Sequence, residues 1–215
     1  MRQYPISRDG WIYLGVLAVV SVLFWFIYPW LAILPVLLFC FVVYFFRNPK
    51  RIAPQSQEPI LLSPADGVVM DVARVMAEEF LPGECIRIRI FLSIFNVHVN
   101  RAPLDGTVVF RKYRAGKMLP AFKDHASALN EKNYIGLEKD GVKILVTQVT
   151  GFIARRIVCW VNEGDRVRQG ERFGLIKFGS CTELFLPPDA QVFVGKGEKV
   201  RGGVTIMGRV NKIEP

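Results

Sequence analysis

Charge is absent from one long stretch of this chain: between Trp11 and Phe46 there is no Asp, Glu, Lys or Arg. That absence excludes a solvated surface helix and leaves a segment that must be buried in protein or lipid. Histidine is nearly missing too, with His98 and His125 the only two, so imidazole-dependent chemistry has two candidates. Cys40, Cys85, Cys159 and Cys181 are scattered, with no CxxC pair and no His at ligand spacing, so neither a metal site nor a disulfide framework is expected. No basic run interleaved with aromatics occurs, and nucleic acid is not an expected partner. Helix signals are few beyond residue 50; residues 119–130 lack an apolar face and read as a loop or one short helix.

What is there begins with the uncharged run itself, which Pro29 divides into residues 11–28 and 30–46. As a helix each half would measure about 25 Å, enough for a bilayer core of roughly 30 Å with local thinning. A secretory leader would be shorter, would carry a small-residue cleavage site, and would not end in the basic stop Arg47-Asn48-Pro49-Lys50-Arg51. Arg2 and Arg8 precede the run and Arg47, Lys50 and Arg51 follow it, so the positive-inside rule puts both ends on the cytoplasmic side of the cell membrane. Trp11, Tyr28, Trp30 and Tyr44 near the helix ends favour the interface. The expected organisation is a membrane-anchoring helical hairpin over residues 1–50 and a cytoplasmic working domain over residues 51–215. Of the net charge of +9, +8 lies beyond residue 46, a balance suited to an anionic membrane surface.

Past a linker at residues 52–59, runs with alternation or β-branched enrichment at 68–75, 86–91, 106–113, 143–149, 157–161 and 173–178 predict a mainly β, α+β domain. A weak internal repeat lies within it, at residues 161–170 (VNEGDRVRQG) and 194–203 (VGKGEKVRGG). Both have Gly, acidic, basic, Val, basic and then Gly, followed by a hydrophobic strand. This is the pattern of the turn-strand units of biotinyl and lipoyl carrier domains, whose glycines permit positive φ. Ser180 falls between the copies, on what reads as a connector between two rigid hairpins.

Phe178-Gly179-Ser180-Cys181-Thr182 is the stretch with the most distinctive chemistry. A Gly-Ser bond is a common turn dipeptide, but the same bond can cut itself. Attack of the Ser180 hydroxyl on the Gly179 carbonyl turns the peptide into an ester, and elimination leaves a dehydroalanine that hydrolyses to a pyruvoyl group. Such a step needs a base. His98 follows a strand directly, and Asp66, in the turn Ser63-Pro64-Ala65-Asp66-Gly67, is the candidate carboxylate. An aspartate accepting from His Nδ1 would leave Nε2 to deprotonate the serine.

Five motifs occur together and in order: Phe45-Phe46-Arg47-Asn48-Pro49-Lys50-Arg51, Ser63-Pro64-Ala65-Asp66-Gly67, Asn96-Val97-His98-Val99-Asn100-Arg101-Ala102-Pro103, Gly151-Phe152-Ile153-Ala154-Arg155-Arg156-Ile157 and Phe178-Gly179-Ser180. In this the chain, from about Tyr44 onward, resembles the short prokaryotic form of the phosphatidylserine decarboxylases. The resemblance implies a proenzyme that cuts itself at Gly179-Ser180 into a β chain of residues 1–179 and an α chain of residues 180–215. It implies a covalent pyruvoyl cofactor made from Ser180, catalytic roles for Asp66, His98 and Ser180, and phosphatidylserine as the substrate converted to phosphatidylethanolamine and carbon dioxide. Arg101, Arg155 and Arg156 are the candidates for the lipid phosphate. Cys181 stands where many members have Ser or Thr. Self-association of the processed chains is left open. Two other readings remain: a noncatalytic membrane-anchored carrier, although Lys177 and Lys196 do not clearly fill a modifiable hairpin tip, and a pyruvoyl decarboxylase of a soluble amino acid.

Overall fold

The computed structural model describes residues 4–56, 58–77, 79–81, 83–119, 129–151, 156–177 and 180–210. Two compact units divide the chain, Met1–Lys50 and Arg51–Pro215. In the first, α1 (Trp11–Ile27) and α2 (Ile33–Phe45) are joined by a 3-10 turn at Pro29–Ala32. Tyr28 is extended, at φ −149° and ψ 116°, because the ring of a following proline disfavours the helical region, and the first helix stops there. The helices run antiparallel: Ser7 N–H donates to the Phe46 carbonyl (2.9 Å), and Asn48 N–H donates to that of Pro5 (2.7 Å). No residue of α1 is buried. The stretch Arg8–Ile27 is long and apolar enough to cross a membrane, whereas Pro29–Phe45 is shorter.

The second unit is mostly β. Its main sheet runs, in spatial order, through β13 (Lys199–Val200), β2 (Gly67–Met76), β3 (Glu84–Leu92), β11 (Ser180–Leu186), β7 (Val142–Thr150), β6 (Lys132–Lys139), β5 (Gly106–Arg114) and β9 (Arg166–Val167). Two three-stranded sheets accompany it. One has the order β4 (Val99–Arg101), β10 (Arg172–Lys177), β8 (Arg156–Cys159); the other has β1 (Ile60–Leu62), β14 (Ile206–Arg209), β12 (Gln191–Val192). Every pairing between these strands is antiparallel. Period-2 alternation sorts the faces. On β3, Ile86, Ile88, Ile90 and Leu92 enter the core with Leu184 and Leu186 of β11, each such side chain contributing about 1.5–3 kcal/mol by burial. Arg87 and Arg89 take the other face and pair with Asp71 of β2.

The repeat is real as turn geometry. Gly164 and Gly197 both sit at φ 90°, and Gly170 and Gly203 at 76° and 71°. Asn162 N–H donates to Asp165 (2.8 Å) in one copy, as Gly195 N–H does to Glu198 (3.0 Å) in the other. Neither copy closes a local hairpin, however: β9 pairs with β5 and β13 with β2, which makes the copies the two edges of the main sheet. The expected placement of Ser180 is corrected with them. Ser180 is not on a connector but opens β11, a central strand, because β3 and β7 flank it on both sides and claim its backbone.

Candidate active site

Ser180 is held from three directions. Its backbone is opposite Leu92 of β3 and Thr150 of β7, and β10, in a different sheet, ends three residues before it. Lys177 and Ser180 thus belong to different sheets, and Phe178 and Gly179 lie outside the described residues. Ser180 is 0% exposed, and its Oγ has no hydrogen-bond partner among the described residues. A buried hydroxyl left unpaired costs about 1–3 kcal/mol. Structural serines in sheets avoid that cost.

Alternation decides which face this hydroxyl takes. Thr182 lies on the same side of β11, and its Oγ1 accepts from Asn100 Nδ2 (3.0 Å) on β4. Cys181 points to the opposite face, packed with Val149, Met70 and Phe91, where burial pushes its thiol pKa far up. Replacement of Ser or Thr by Cys181 thus touches a different environment from the one Ser180 faces. Asn100 is the hub of a buried chain: Gln148 Nε2 donates to its Oδ1 (2.9 Å), and Asn133 Nδ2 donates to Gln148 Oε1 (2.9 Å). Sequence reading passed over Asn100, Gln148 and Thr182, because single amides in strands carry no signal until the strands are stacked.

His98 immediately precedes β4, is buried, and is two residues from Asn100 on an extended backbone. Ile176 N–H donates to the His98 carbonyl (3.2 Å), four residues before Ser180. The Asn100 to Thr182 bond and this contact put His98 at the Ser180 end of the junction between the two sheets. His98 Nδ1 lies 2.9 Å from the Asn96 carbonyl. A carbonyl can only accept, so a neutral ring in this contact carries its proton on Nδ1.

Asp66 is placed differently from the simple triad expectation. Its carboxylate takes a double ion pair from Arg51, with Arg51 Nη2 to Oδ2 at 2.7 Å, and its Oδ1 also accepts the Gly202 N–H (2.8 Å). The described bond that orients His98 Nδ1 comes from Asn96 rather than from Asp66. The Asp66 turn nevertheless docks on the same strand, since the Pro64 carbonyl accepts from Arg101 N–H (2.9 Å) and from Asn100 Nδ2 (3.3 Å). Arg101 is buried and donates Nη1 to the Gly170 carbonyl (2.9 Å). Burial first, then repulsion from Arg51 and Arg172, lowers its pKa to about 10. Arg156 lies exposed at the start of β8. Arg155, Gly179 and His125 lie outside the described residues. No group of His, Cys, Asp and Glu suited to a metal ion occurs among the described residues.

Known proteins match this arrangement closely. The family model for phosphatidylserine decarboxylase matches residues 38–208. A phosphatidylserine decarboxylase proenzyme of Carboxydothermus hydrogenoformans is 54% identical over 204 residues, covering 94% of this chain and 95% of the relative. The proenzyme of the same name from Symbiobacterium thermophilum is 44% identical over 211 residues, or 98% of each chain. That from Syntrophus aciditrophicus is 45% identical over 180 residues, 83% of this chain and 84% of its own. With a match that runs from within α2 through β14 and takes in Asp66, His98 and Ser180, the chain belongs to the phosphatidylserine decarboxylase family.

Proposed function

We propose that this protein is a self-cleaving, pyruvoyl-dependent decarboxylase that converts phosphatidylserine to phosphatidylethanolamine and carbon dioxide. The observation that carries the reading is the buried Oγ of Ser180, without a partner among the described residues. Strands on both sides fix the Ser180 backbone, which lowers the entropy cost of its attack on the preceding carbonyl relative to a free loop. In maturation His98 Nε2 takes the Ser180 proton, and Oγ adds to the Gly179 carbonyl. The Gly179–Ser180 C–N bond breaks, and the proton passes to the departing nitrogen. Asp66 supplies the negative charge that balances the imidazolium, and Asn96 keeps the ring in the useful tautomer.

The site fits the group that this cleavage would leave at residue 180: the buried Oγ without a partner among the described residues supports a serine that is consumed. A pyruvoyl group there supplies an electron sink for the pair released when a carboxylate departs as carbon dioxide. The chain's own part is to exclude water through the buried β3, β11 and β7 face and to hold a proton at His98 for delivery to the product carbon. Residues 1–179 and 180–215 remain together as β and α chains, because β11 belongs to the α chain while β3 and β7 belong to the β chain.

The exposed apolar surface of α1 supports membrane attachment of residues 1–50, with residues 51–215 on the cytoplasmic side of the cell membrane. The paired glycine turns support a lipoyl- and biotinyl-like origin of the scaffold. The test is the intact mass of the purified protein under denaturing conditions. Two fragments split at Gly179-Ser180, the smaller lacking one ammonia relative to a serine terminus, are expected, together with turnover of phosphatidylserine but not of free serine. A single 215-residue species with no lipid turnover would refute the reading.

A further inference from the structure

Asp66 is outnumbered by cations. Arg51 grips it from one side and donates Nη1 to the Gly202 carbonyl (2.6 Å). Arg101 and Arg172 are register partners across β4 and β10, so their side chains leave the sheet on the same side. Arg51 and Arg172 both act on the charge of Arg101, as its lowered pKa records. Arg101 thus stands between Arg51, which holds Asp66, and Arg172, with side-chain exposure of 5% for Arg51 and residue exposures of 4% and 9% for Arg101 and Arg172.

Arg172 is the telling member. It makes no hydrogen bond or ion pair among the described residues, and burial lowers its pKa. Glu171 acts on it through space, but that carboxylate accepts the Arg168 N–H (2.9 Å) instead. The turn beside it is shaped around the cluster: a Cβ at Gly203, φ +71°, would stand 2.7 Å from Arg101 Cδ. The Arg172 guanidinium therefore has no bonded carboxylate among the described residues and is not sealed from solvent, so its fork is open to an incoming anion.

We propose that Arg51, Arg101 and Arg172 form an oxyanion-binding site that takes the phosphate of a glycerophospholipid headgroup, with Arg172 supplying a bidentate fork. The assignment rests on the decarboxylase reading and gives it a substrate-binding element. Arg101 is on β4, the strand whose Asn100 amide reaches Thr182, two residues after Ser180, so the cluster and the reacting serine are joined to the same strand. Arg51 and Arg172 join Arg101, itself expected from sequence, with Arg155 and Arg156, to contact the phosphate.

The test uses the full chain in detergent, with inorganic phosphate and glycerophosphoserine as probes in calorimetric titrations. Both should bind, and each should displace the other. Arg172→Gln should weaken both by about tenfold or more, the worth of one charge-assisted hydrogen bond, and Arg172→Lys should fall between. Arg172→Gln should still cleave itself fully, with KM for phosphatidylserine raised and kcat held within about twofold, the signature of lost ground-state binding. Circular dichroism checks that both variants are folded. Unchanged phosphate affinity in a folded Arg172→Gln would overturn the site. Phosphate binding that glycerophosphoserine cannot displace would overturn the lipid assignment and leave a free-anion site. Binding of both probes at Arg172 by a wild-type chain that never cuts itself would uphold the anion site and sink the decarboxylase reading.

Discussion

Asp66→Asn separates what holds this site together from what drives its chemistry. The side chains of Arg51 and Asp66 are 5% and 11% exposed, so solvent screens the pair little. Removing one partner of a buried pair costs about 3–5 kcal/mol, and here Arg101, on which Asp66 also acts, adds to the charge left uncompensated. Asparagine keeps an oxygen for the Gly202 N–H but turns an amide donor toward one arm of Arg51, so relief from the new side chain is partial. In a chain of this size 1 kcal/mol moves Tm by about 2–4 °C, which predicts a fall of about 6–20 °C. The measurement is calorimetric unfolding of the full chain in a Ser180→Ala background, where self-cleavage cannot confound the transition. Arg51→Met combined with Asp66→Asn should lose less than the sum of the two single changes, since the stranded charge is gone. A Tm drop below about 2 °C would refute the reasoning that the pair is a buried, uncompensated-charge problem. With Ser180 intact, Asp66→Asn should also slow cleavage at a temperature where it is folded; wild-type cleavage there would remove Asp66 from the maturation machinery.

Further outcomes follow from the same geometry. His98→Ala should leave the chain as one 215-residue species on a denaturing gel, because His98 is the described imidazole and lies at the Ser180 end of the junction. Asn100→Ala strands Gln148 Nε2 and Thr182 Oγ1, so it should cost about 1–3 kcal/mol for each group left unpaired and slow cleavage, read by Tm and by fragment mass over time. Cys181 should resist thiol reagents at pH 8 until the protein is unfolded, since burial keeps it protonated, while Cys40 on exposed α2 should react in the absence of detergent. Cys181→Ser should retain self-cleavage; loss of cleavage in a folded variant would contradict the opposite-face placement. Removal of residues 1–46 should impair turnover of membrane-embedded phosphatidylserine far more than self-cleavage, through lost effective concentration at the bilayer.

Some of the architecture was legible because it is written locally. The uncharged run and Pro29 located α1, the 3-10 turn and α2, and alternation located β2, β3, β5, β7 and most of β10. β6 and β11 escaped notice, since Lys132, Asn133, Gly136, Thr182 and Glu183 blur the pattern. Their strand state comes from neighbours on both sides, an override of local propensity by tertiary pairing.

The sequence by itself determined the chemistry: a Gly-Ser bond able to cut itself, one histidine beside a strand, one aspartate in a turn, and the order in which the motifs occur. Only the tertiary structure decided how those groups stand. It put Ser180 at the head of a central strand with its hydroxyl unpaired among the described residues, set His98 Nδ1 against the Asn96 carbonyl, and set Asp66 against Arg51 with Arg101 nearby. The reason is separation along the chain: Arg51, Asp66, His98, Arg172 and Ser180 are spread over 130 positions. Contacts at that range are set by strand order and register, which no local pattern of residues encodes.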